Sequence, residues 1–347
     1  MTRRPRRRGR LRAGTTVAAL LAAAALAGVA LLGWTLQVPY AGWSGPEAVV
    51  TLPRGTPAGA MVDRLAGAGV VRYPAVLQGW ISLTGAAGRL RAGTYRFDRP
   101  LSPLEILRKI EAGEVMVQAV TIPEGLDFAE IASRLAEAGF GTEEAFLRCF
   151  RDPTVVRDLD PTAPDLEGYL FPDTYHFPVG ETPARITEAM VRRFRHVASP
   201  SLRDEAARHD LTLRQAVTLA SLIEEETSVP AERPRISRVF HNRLTAGMRL
   251  ECDPTVSYGL RRQGVSVPRL LYKHLREDTP WNTYLHAGLP PGPICNPGRA
   301  SLEAAVRPDL GEEMYFVASP EGGHRFSRDL ATHVRAVAQW RAYVRSR

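Results

Sequence analysis

Between Arg12 and Glu47 the chain carries no charged side chain, and within that gap Val17 to Leu36 forms an apolar run rich in Ala and Leu. About twenty apolar residues match the hydrocarbon thickness of a bilayer, so this stretch is expected to be a transmembrane helix over residues 15–36. Trp34 falls at its end, where an interfacial aromatic belongs. Arg3, Arg4, Arg6, Arg7, Arg8, Arg10 and Arg12 precede it. By the positive-inside rule they predict a cytoplasmic basic tail (1–14) and export of everything after the span. The competing reading is a cleaved signal peptide, which the small residues favour and the length of the run disfavours.

This topology changes the meaning of the charge. The chain is +8 with a pI near 9.7, values that would otherwise suggest nucleic acid. Seven of those charges sit before the span, and no acidic residue precedes Glu47, so the exported part is only +1. The basicity is mostly a topology signal, and no nucleic-acid partner is expected. Cys149, Cys252 and Cys295 allow at most one disulfide in an exported protein. The roughly 310 residues beyond the span suffice for ordinary hydrophobic cores in more than one domain.

After a juxtamembrane linker (37–47), an internal repeat appears. Val50-Thr-Leu-Pro-Arg-Gly55 recurs as Val120-Thr-Ile-Pro-Glu-Gly125, and Arg64-Leu65-Ala66 with Ala68-Gly69 recurs as Arg134-Leu135-Ala136 with Ala138-Gly139. Each copy reads as a strand, a Pro/Gly turn and an amphipathic helix ending at Gly. Gly93 to Phe97 alternates like a strand, and Pro103 to Ala112 reads as a short helix. Together these give an α+β module of about 70 residues. Two readings of it stand side by side: a small carbohydrate-binding module, or merely similar strand–helix units.

Leu166 to Pro178 reads as an irregular, aromatic-rich segment. Helices are expected over Pro183–Val197, around Leu213–Thr227, and from Pro230 through Leu244 with Gly247 marking the end. From Met248 to Gly259 the chain reads as irregular, as do Trp281-Asn-Thr-Tyr284 and the Gly288–Gly298 loop. Ser301–Ala305 begins a helix, Met314–Ala318 reads as a buried strand, and Ala331–Val344 as a last helix.

The helix around Leu213–Thr227 carries Glu224, Glu225 and Glu226 in a row. At about 100° per residue, Ala216, Leu222 and Ile223 fall within about 60° of Leu219, and Glu226 only about 20° from it. Glu224 and Glu225 lie more than about 100° away, towards the flanks. A run of glutamates is ordinarily a solvated face. A carboxyl on the apolar face near a helix C-terminus instead keeps its proton to higher pH, as a general acid requires. Other chemistries find less support. His241, His286, His324 and His333 are scattered without a His-Glu-x-x-His, no Gly-x-Ser-x-Gly occurs, and phosphate loops are absent. No metal and no cofactor is expected. One acid followed by loops rich in Tyr, Trp and Asn suits glycan chemistry.

A usual glycosidase needs two carboxylates. A lytic transglycosylase manages with one, because the sugar's own C6 hydroxyl is the nucleophile. The residues then match a family. Leu219-Ala-Ser-Leu-Ile-Glu-Glu-Glu-Thr227, Val239-Phe-His-Asn-Arg-Leu244, Gly247-Met-Arg-Leu250, Asp253-Pro-Thr-Val256 and Gly288-Leu-Pro-Pro-Gly-Pro-Ile294 resemble the YceG-like endolytic murein transglycosylases. So do Glu167-Gly-Tyr-Leu-Phe-Pro-Asp-Thr174, Ala92-Gly-Thr-Tyr-Arg-Phe97 and Gly322-Gly-His-Arg-Phe326. The resemblance implies a single-pass membrane lyase with a LysM-like module (48–117) before a mixed α/β catalytic domain (118–347). Its catalytic Glu would stand near the C-terminal end of a helix. It implies cleavage of nascent peptidoglycan strands, and the anchored topology points to peptidoglycan synthases as partners. The family's catalytic glutamate, the one before Thr in Glu-Lys-Glu-Thr, falls on Glu226. Glu225 replaces the usual lysine, a change expected to favour the protonated acid, and Trp281 stands where tyrosine is frequent. Substrate-binding candidates are Asn282, Thr283, Tyr284, Asp253, Arg243 and Asp173. Against them stand loop-holding hydrogen bonds, turn capping and surface pairing. A non-catalytic glycan-binding scaffold is the rival function.

Overall fold

The structure, a computed structural model, describes residues 8–198 and 200–346; Arg3, Arg4, Arg6 and Arg7 of the expected basic tail lie outside the described residues. Helix α1 (Arg8–Thr35) contains a 20-residue apolar stretch, Thr16–Thr35, of mean hydropathy 2.2 and with none of it buried in the protein. Alanine and leucine are strong helix formers, which explains the unbroken helix. Its length and apolarity suit a membrane anchor or a signal sequence alike.

Contacts divide the chain into two units. The first, up to Gln118 with Pro178–Gly180, holds α1, β1 (Ala48–Leu52), α2 (Ala58–Gly67), α3 (Pro74–Thr84), β2 (Gly93–Phe97) and α4 (Pro103–Ala112). β1 and β2 pair antiparallel from Ala48↔Phe97 to Leu52↔Gly93. Ala48, Val50 and Leu52 point into the core while Val49 and Thr51 face out, the period-2 alternation of a one-sided sheet. Met61, Leu65, Leu77, Ile81 and Ile106 close the core over Tyr95 and Phe97. A Ser102–Glu105 capping box starts α4, and Gly113 in the left-handed region ends it. Residues 37–47 are pinned to this unit, with Tyr40 bridging Leu101 and the Gly42 amide donating to the Gly69 carbonyl at 2.9 Å.

The second unit takes up the chain from Ala119. It comprises β3 (Val117–Ile122), α5 (Phe128–Glu137), α6 (Glu143–Phe150), β4 (Asp173–Pro178), α7 (Pro183–Val197), α8 (Pro200–Arg208) and α9 (Leu213–Glu226). Then come α10 (Arg233–Thr245), α11 (Asp253–Arg262), α12 (Arg299–Val306), β5 (Tyr315–Ala318), β6 (His324–Ser327) and α13 (Leu330–Arg345). β3 pairs with β4, and β5 with β6, each as a two-stranded sheet. The chain is α+β, and the expected mixed α/β domain is corrected: the described strands form only two-stranded sheets under a helical majority.

Two local expectations are also corrected. Met248–Gly259 is not wholly irregular, because α11 begins at Asp253. The Asp-Pro pair is a helix start, with Pro254 in the first turn where its missing N–H costs nothing. The strand at Met314–Ala318 is half-buried rather than buried.

Helix α9 is central. From Ala216 to Ile223 every residue is buried, so it has no solvated face for most of its length. A Thr212–Gln215 capping box starts it, and α8, α10, α11 and α12 all pack against it. The proline-rich loop is stitched along it. The Ile294 amide donates to Ser221 Oγ at 3.0 Å, and Arg214 Nε donates to the Pro291 carbonyl at 3.0 Å.

Candidate active site

The three glutamates close the last turn of α9, where the unsatisfied carbonyls oppose negative charge. The structure gives each a different environment. Glu224 does not lie on a solvated flank as helical phase implied: its side chain is 6% exposed. One oxygen accepts from Arg233 at 2.9 Å and the other from the Gly298 amide at 2.9 Å. Protein covers this flank of α9, and Glu224 is tied in place by Arg233 and the Gly298 amide. Glu124 lies against the same guanidinium, with its carboxyl pushed up by burial and by Glu224.

Glu225 is exposed by surface area, yet burial pushes its carboxyl up to about 7, with Glu130 and Glu224 adding to the rise and Arg261 and Cys295 opposing it. A group both open to water and crowded by protein sits on the wall of a concavity. Glu130 and Arg261 in turn line a cavity of about 720 Å³ with Phe128, Tyr258 and Arg262.

Glu226 is half-buried. Burial raises its carboxyl above the ordinary range, and Asp253 adds to the rise. A hydrogen bond with the Cys252 thiol and the positive charges of His324 and Arg243 pull the other way. The principal negative neighbour is therefore Asp253, not Glu225, whose substitution for lysine acts on a different face. Cys252 is itself buried, and burial with the nearby Glu226 holds its thiol well above the usual range. All three cysteines are free.

The candidate residues gather around the start of α11. Tyr284 Oη donates to Asp253 Oδ1 at 2.7 Å, fixing that carboxylate beside Glu226. Asn282 and Thr283 are buried and bond inward. Asn282 Nδ2 donates to the Leu275 and Glu277 carbonyls at 3.1 and 2.8 Å, and its Oδ1 accepts from the Tyr284 amide at 2.9 Å. Thr283 Oγ1 accepts from the Cys252 amide at 3.0 Å and pairs with Thr255 Oγ1 at 2.9 Å. Both hold the loop that presents Cys252, Asp253 and Tyr284.

Arg243 is buried and makes no direct bond to Glu226 among its hydrogen bonds. It donates to the Met314, Arg249 and Leu250 carbonyls at 2.7, 3.1 and 2.9 Å, and to Glu251 at 3.2 Å. It thereby latches the approach to Cys252, where Glu251 stands in the left-handed region at φ 51°. Asp173 lies on β4 and bonds Arg193 at 2.6 Å and the Thr174 amide at 2.8 Å, with no partner in the Glu226 group.

Sequence reasoning passed over Cys252, Glu232 and His324. Glu232 accepts from both the His324 amide and His324 Nδ1 at 2.7 Å. The signal was present in Gly322-Gly-His-Arg-Phe326, where His324 follows two glycines with positive φ. Among the described residues, no group of three His, Cys, Asp or Glu side chains is placed to hold a metal ion.

Comparisons with known proteins agree over most of the chain. The YceG-like family matches residues 50–339. The endolytic murein transglycosylase of Bacillus subtilis (strain 168) is 32% identical over 327 residues, spanning 90% of this chain and 89% of that protein. The protein of that name from Streptococcus pneumoniae serotype 2 (strain D39 / NCTC 7466) is 27% identical over 84% of this chain, which spans 58% of that longer relative. A YceG-like protein of Listeria monocytogenes, known from its crystal structure, superposes with a TM-score of 0.57 at 30% identity, over 84% of this chain and 99% of that one.

Proposed function

The chain belongs to the YceG-like family, and from that premise we propose that it is a membrane-anchored endolytic lytic transglycosylase of peptidoglycan. It cleaves the MurNAc–GlcNAc bond of nascent strands and so terminates their elongation. Glu226 gives its proton to the glycosidic oxygen as that bond breaks. The muramyl C6 hydroxyl then attacks C1 and returns its proton to the Glu226 carboxylate, closing a 1,6-anhydro ring. No water is consumed, and the acid ends as it began.

The observation that carries this reading is the half-buried Glu226 carboxyl, raised above its ordinary range by burial, beside Asp253, which Tyr284 fixes. A protonated donor next to a fixed anion suits an oxocarbenium-like transition state. Asp253 and Tyr284 face the substrate in this reading; Asn282, Thr283 and Arg243 support them from beneath, and Asp173 stands apart. The basic tail (1–14) is cytoplasmic, residues 15–36 span the membrane, and a linker (37–47) leads to extracytoplasmic modules at 48–117 and 118–347. The strand–helix–helix–strand order of the first unit supports a LysM-like reading of residues 48–117. Peptidoglycan synthases are the natural neighbours of an enzyme acting on nascent strands at the membrane.

Mass spectrometry of digested glycan strands tests the proposal. The wild type releases 1,6-anhydromuramyl ends, and Glu226→Gln, folded by circular dichroism, loses at least about a hundredfold in rate. Undiminished release by that variant overturns the assignment of Glu226. Reducing ends from the wild type would indicate a muramidase, and binding without new ends a scaffold. Glu225 is the competing acid because its carboxyl sits at about 7; Glu225→Gln is expected to stay within about tenfold of wild type, and a greater loss than in Glu226→Gln would transfer the role to it.

A further inference from the structure

We infer that the cavity between α5, α6 and α11 binds the stem peptide of the substrate strand, a short chain bearing free carboxylates. The inference rests on reading the chain as acting on peptidoglycan, and it adds a second recognition element to the glycosidic bond. The cavity measures about 720 Å³, a usual size for a small-ligand site. It lies wholly within the second unit. Its walls come from the start of α5, the end of α6, and the last turns of α11 with the Gly264–Ser266 segment that follows.

The lining carries both signs of charge, but its acids are mostly spent on the protein. Asp127 Oδ1 accepts from the Ala129 and Glu130 amides, and its Oδ2 from Arg261 at 3.2 Å. Asp165 accepts from the Glu167 amide at 3.1 Å and from Arg262 at 3.0 Å. Glu167 is buried and takes the Phe128, Asn296 and Tyr258 donors. The arginines keep donors free. A guanidinium has five N–H groups. Arg261 commits its Nε and Arg262 one terminal nitrogen. Exposed Arg151 makes no side-chain hydrogen bond or ion pair among the described residues. The open groups are therefore guanidinium forks, which match a carboxylate. Glu130 gives one oxygen to the Asp127 amide and keeps the other, an anion suited to the amine of a diamino acid.

Other ligands fit less well. A sugar would want aromatic faces of its own, yet the Arg262 guanidinium already lies over Phe128 at 5.2 Å, Trp281 at 5.6 Å and Tyr258 at 6.0 Å. A phosphate would be opposed by Glu130. Leu147, Pro164 and Val265 supply apolar wall that suits the methyl groups of alanine. Charge of both signs beside apolar wall matches a zwitterionic peptide. The position matches too. A Cβ on Gly125 would come 3.1 Å from Glu225 Oε1, and Asp127 is two residues on, so the cavity starts within ~7 Å of chain from the end of α9. Asp253, read above as facing the strand, opens α11, and Arg261 and Arg262 close it, ~12–14 Å along the axis. An extended peptide of three or four residues covers ~10–14 Å. A peptide rooted on a sugar at Glu226 therefore reaches the arginines.

Calorimetric titration of the detergent-solubilised full chain with the free tetrapeptide L-Ala-γ-D-Glu-L-Lys-D-Ala tests this. Saturable binding is expected. Amidation of the peptide's carboxylates weakens it about tenfold, and so does the double substitution Arg151→Glu with Arg261→Gln. The amidated peptide needs no variant, so that arm reads the recognition even where a substitution disturbs α5. On strands, kcat/KM for anhydro product falls about tenfold in the double variant while the peptides are present, and stays near wild type once an amidase has removed them. No saturable binding, equal affinity for the amidated peptide, or an equal fall on both kinds of strand overturns the inference. Calorimetry needs no cleavage, so the two failures are distinguishable. Peptide binding without anhydro ends sinks only the proposed reaction, and anhydro ends without peptide binding sink only this site.

Discussion

β1–α2 and β3–α5 are built from nearly the same segments, with Gly55 matched by Gly125 and Gly69 by Gly139. Their backbones agree closely. Both turn glycines adopt positive φ, at 78° and 84°, and both helices end on glycines at 72° and 80°. Each end is closed by the same bonds, Val70 N to Leu65 O and Phe140 N to Leu135 O. The surroundings do not agree. Gly55 has open space around it, whereas a Cβ on Gly125 would lie 3.1 Å from Glu225 Oε1. The Gly125 amide donates to the Asn296 carbonyl, and the Phe128 amide donates to the buried Glu167. Local sequence sets the turn and the helix in both copies. Only the second copy receives distant residues that wire it to the end of α9.

The largest test of that difference is Glu167→Ala. This carboxyl accepts from the Phe128 amide at 3.1 Å, Asn296 Nδ2 at 2.9 Å and Tyr258 Oη at 3.0 Å, joining α5, the proline-rich loop and α11. Its removal leaves the buried Phe128 amide and Tyr258 hydroxyl without an acceptor and Asn296 Nδ2 with only the Leu126 carbonyl, at a cost of about 3–5 kcal/mol. Hydrogen exchange should show amide protection lost in α5 and retained in α2. Equal loss in both would mean that the copies are not independently wired.

Much of this organisation was legible beforehand. Pro183–Val197 is found as expected because Thr182 caps it and Pro183 opens it. The repeat was readable because its glycines and prolines act within a few residues. Glu226 stood out by helical phase, although phase misjudged Glu224, since no single-helix argument knows that Arg233 and Gly298 cover its flank. Sequence displays the polar groups of Asn282 and Thr283 but not the Leu275, Glu277 and Thr255 partners they bond. The Glu232–His324 clamp spans 92 residues, beyond any local pattern. The start of α11 is a different case: Asp253-Pro254 is a local signal that suits a turn as well as a helix start.

A smaller contrast comes from paired glycine substitutions. Gly55→Ala is expected to cost about 1 kcal/mol, the strain of a side chain in the left-handed region. Gly125→Ala bears the same strain and also displaces Glu225, adding about 1 kcal/mol more. It should alter the pH dependence as well. The Glu225 carboxyl rises from 4.5 to about 7 on folding, so between those values the native state binds more protons than the unfolded one. Its contribution therefore makes stability fall as pH rises through that window. Moving Glu225 towards water flattens the fall, and urea denaturation at pH 5 and pH 8 measures it. A slope equal to that of Gly55→Ala would show that Gly125 does not confine Glu225.

The finest contrast lies at the helix starts. Asp127 caps α5, accepting from the Ala129 and Glu130 amides at 3.0 and 2.9 Å while Glu130 reaches back to its amide, a complete capping box. Pro57 occupies the matching place before α2 and offers no side-chain cap, although its ψ of 150° suits one. Pro57→Asp should therefore stabilise the first unit by about 0.5–1 kcal/mol, measured by thermal denaturation. The reverse operation, Asp127→Ala, loses a cap of similar worth and also the 3.2 Å pair with Arg261, which faces Glu225. Changes confined to stability are expected at position 57, and changes in both stability and the Glu225 titration at position 127. If Asp127→Ala leaves Glu225 unmoved, the second copy's helix start is structural only, and its tie to the site runs through Gly125 and Glu167 alone.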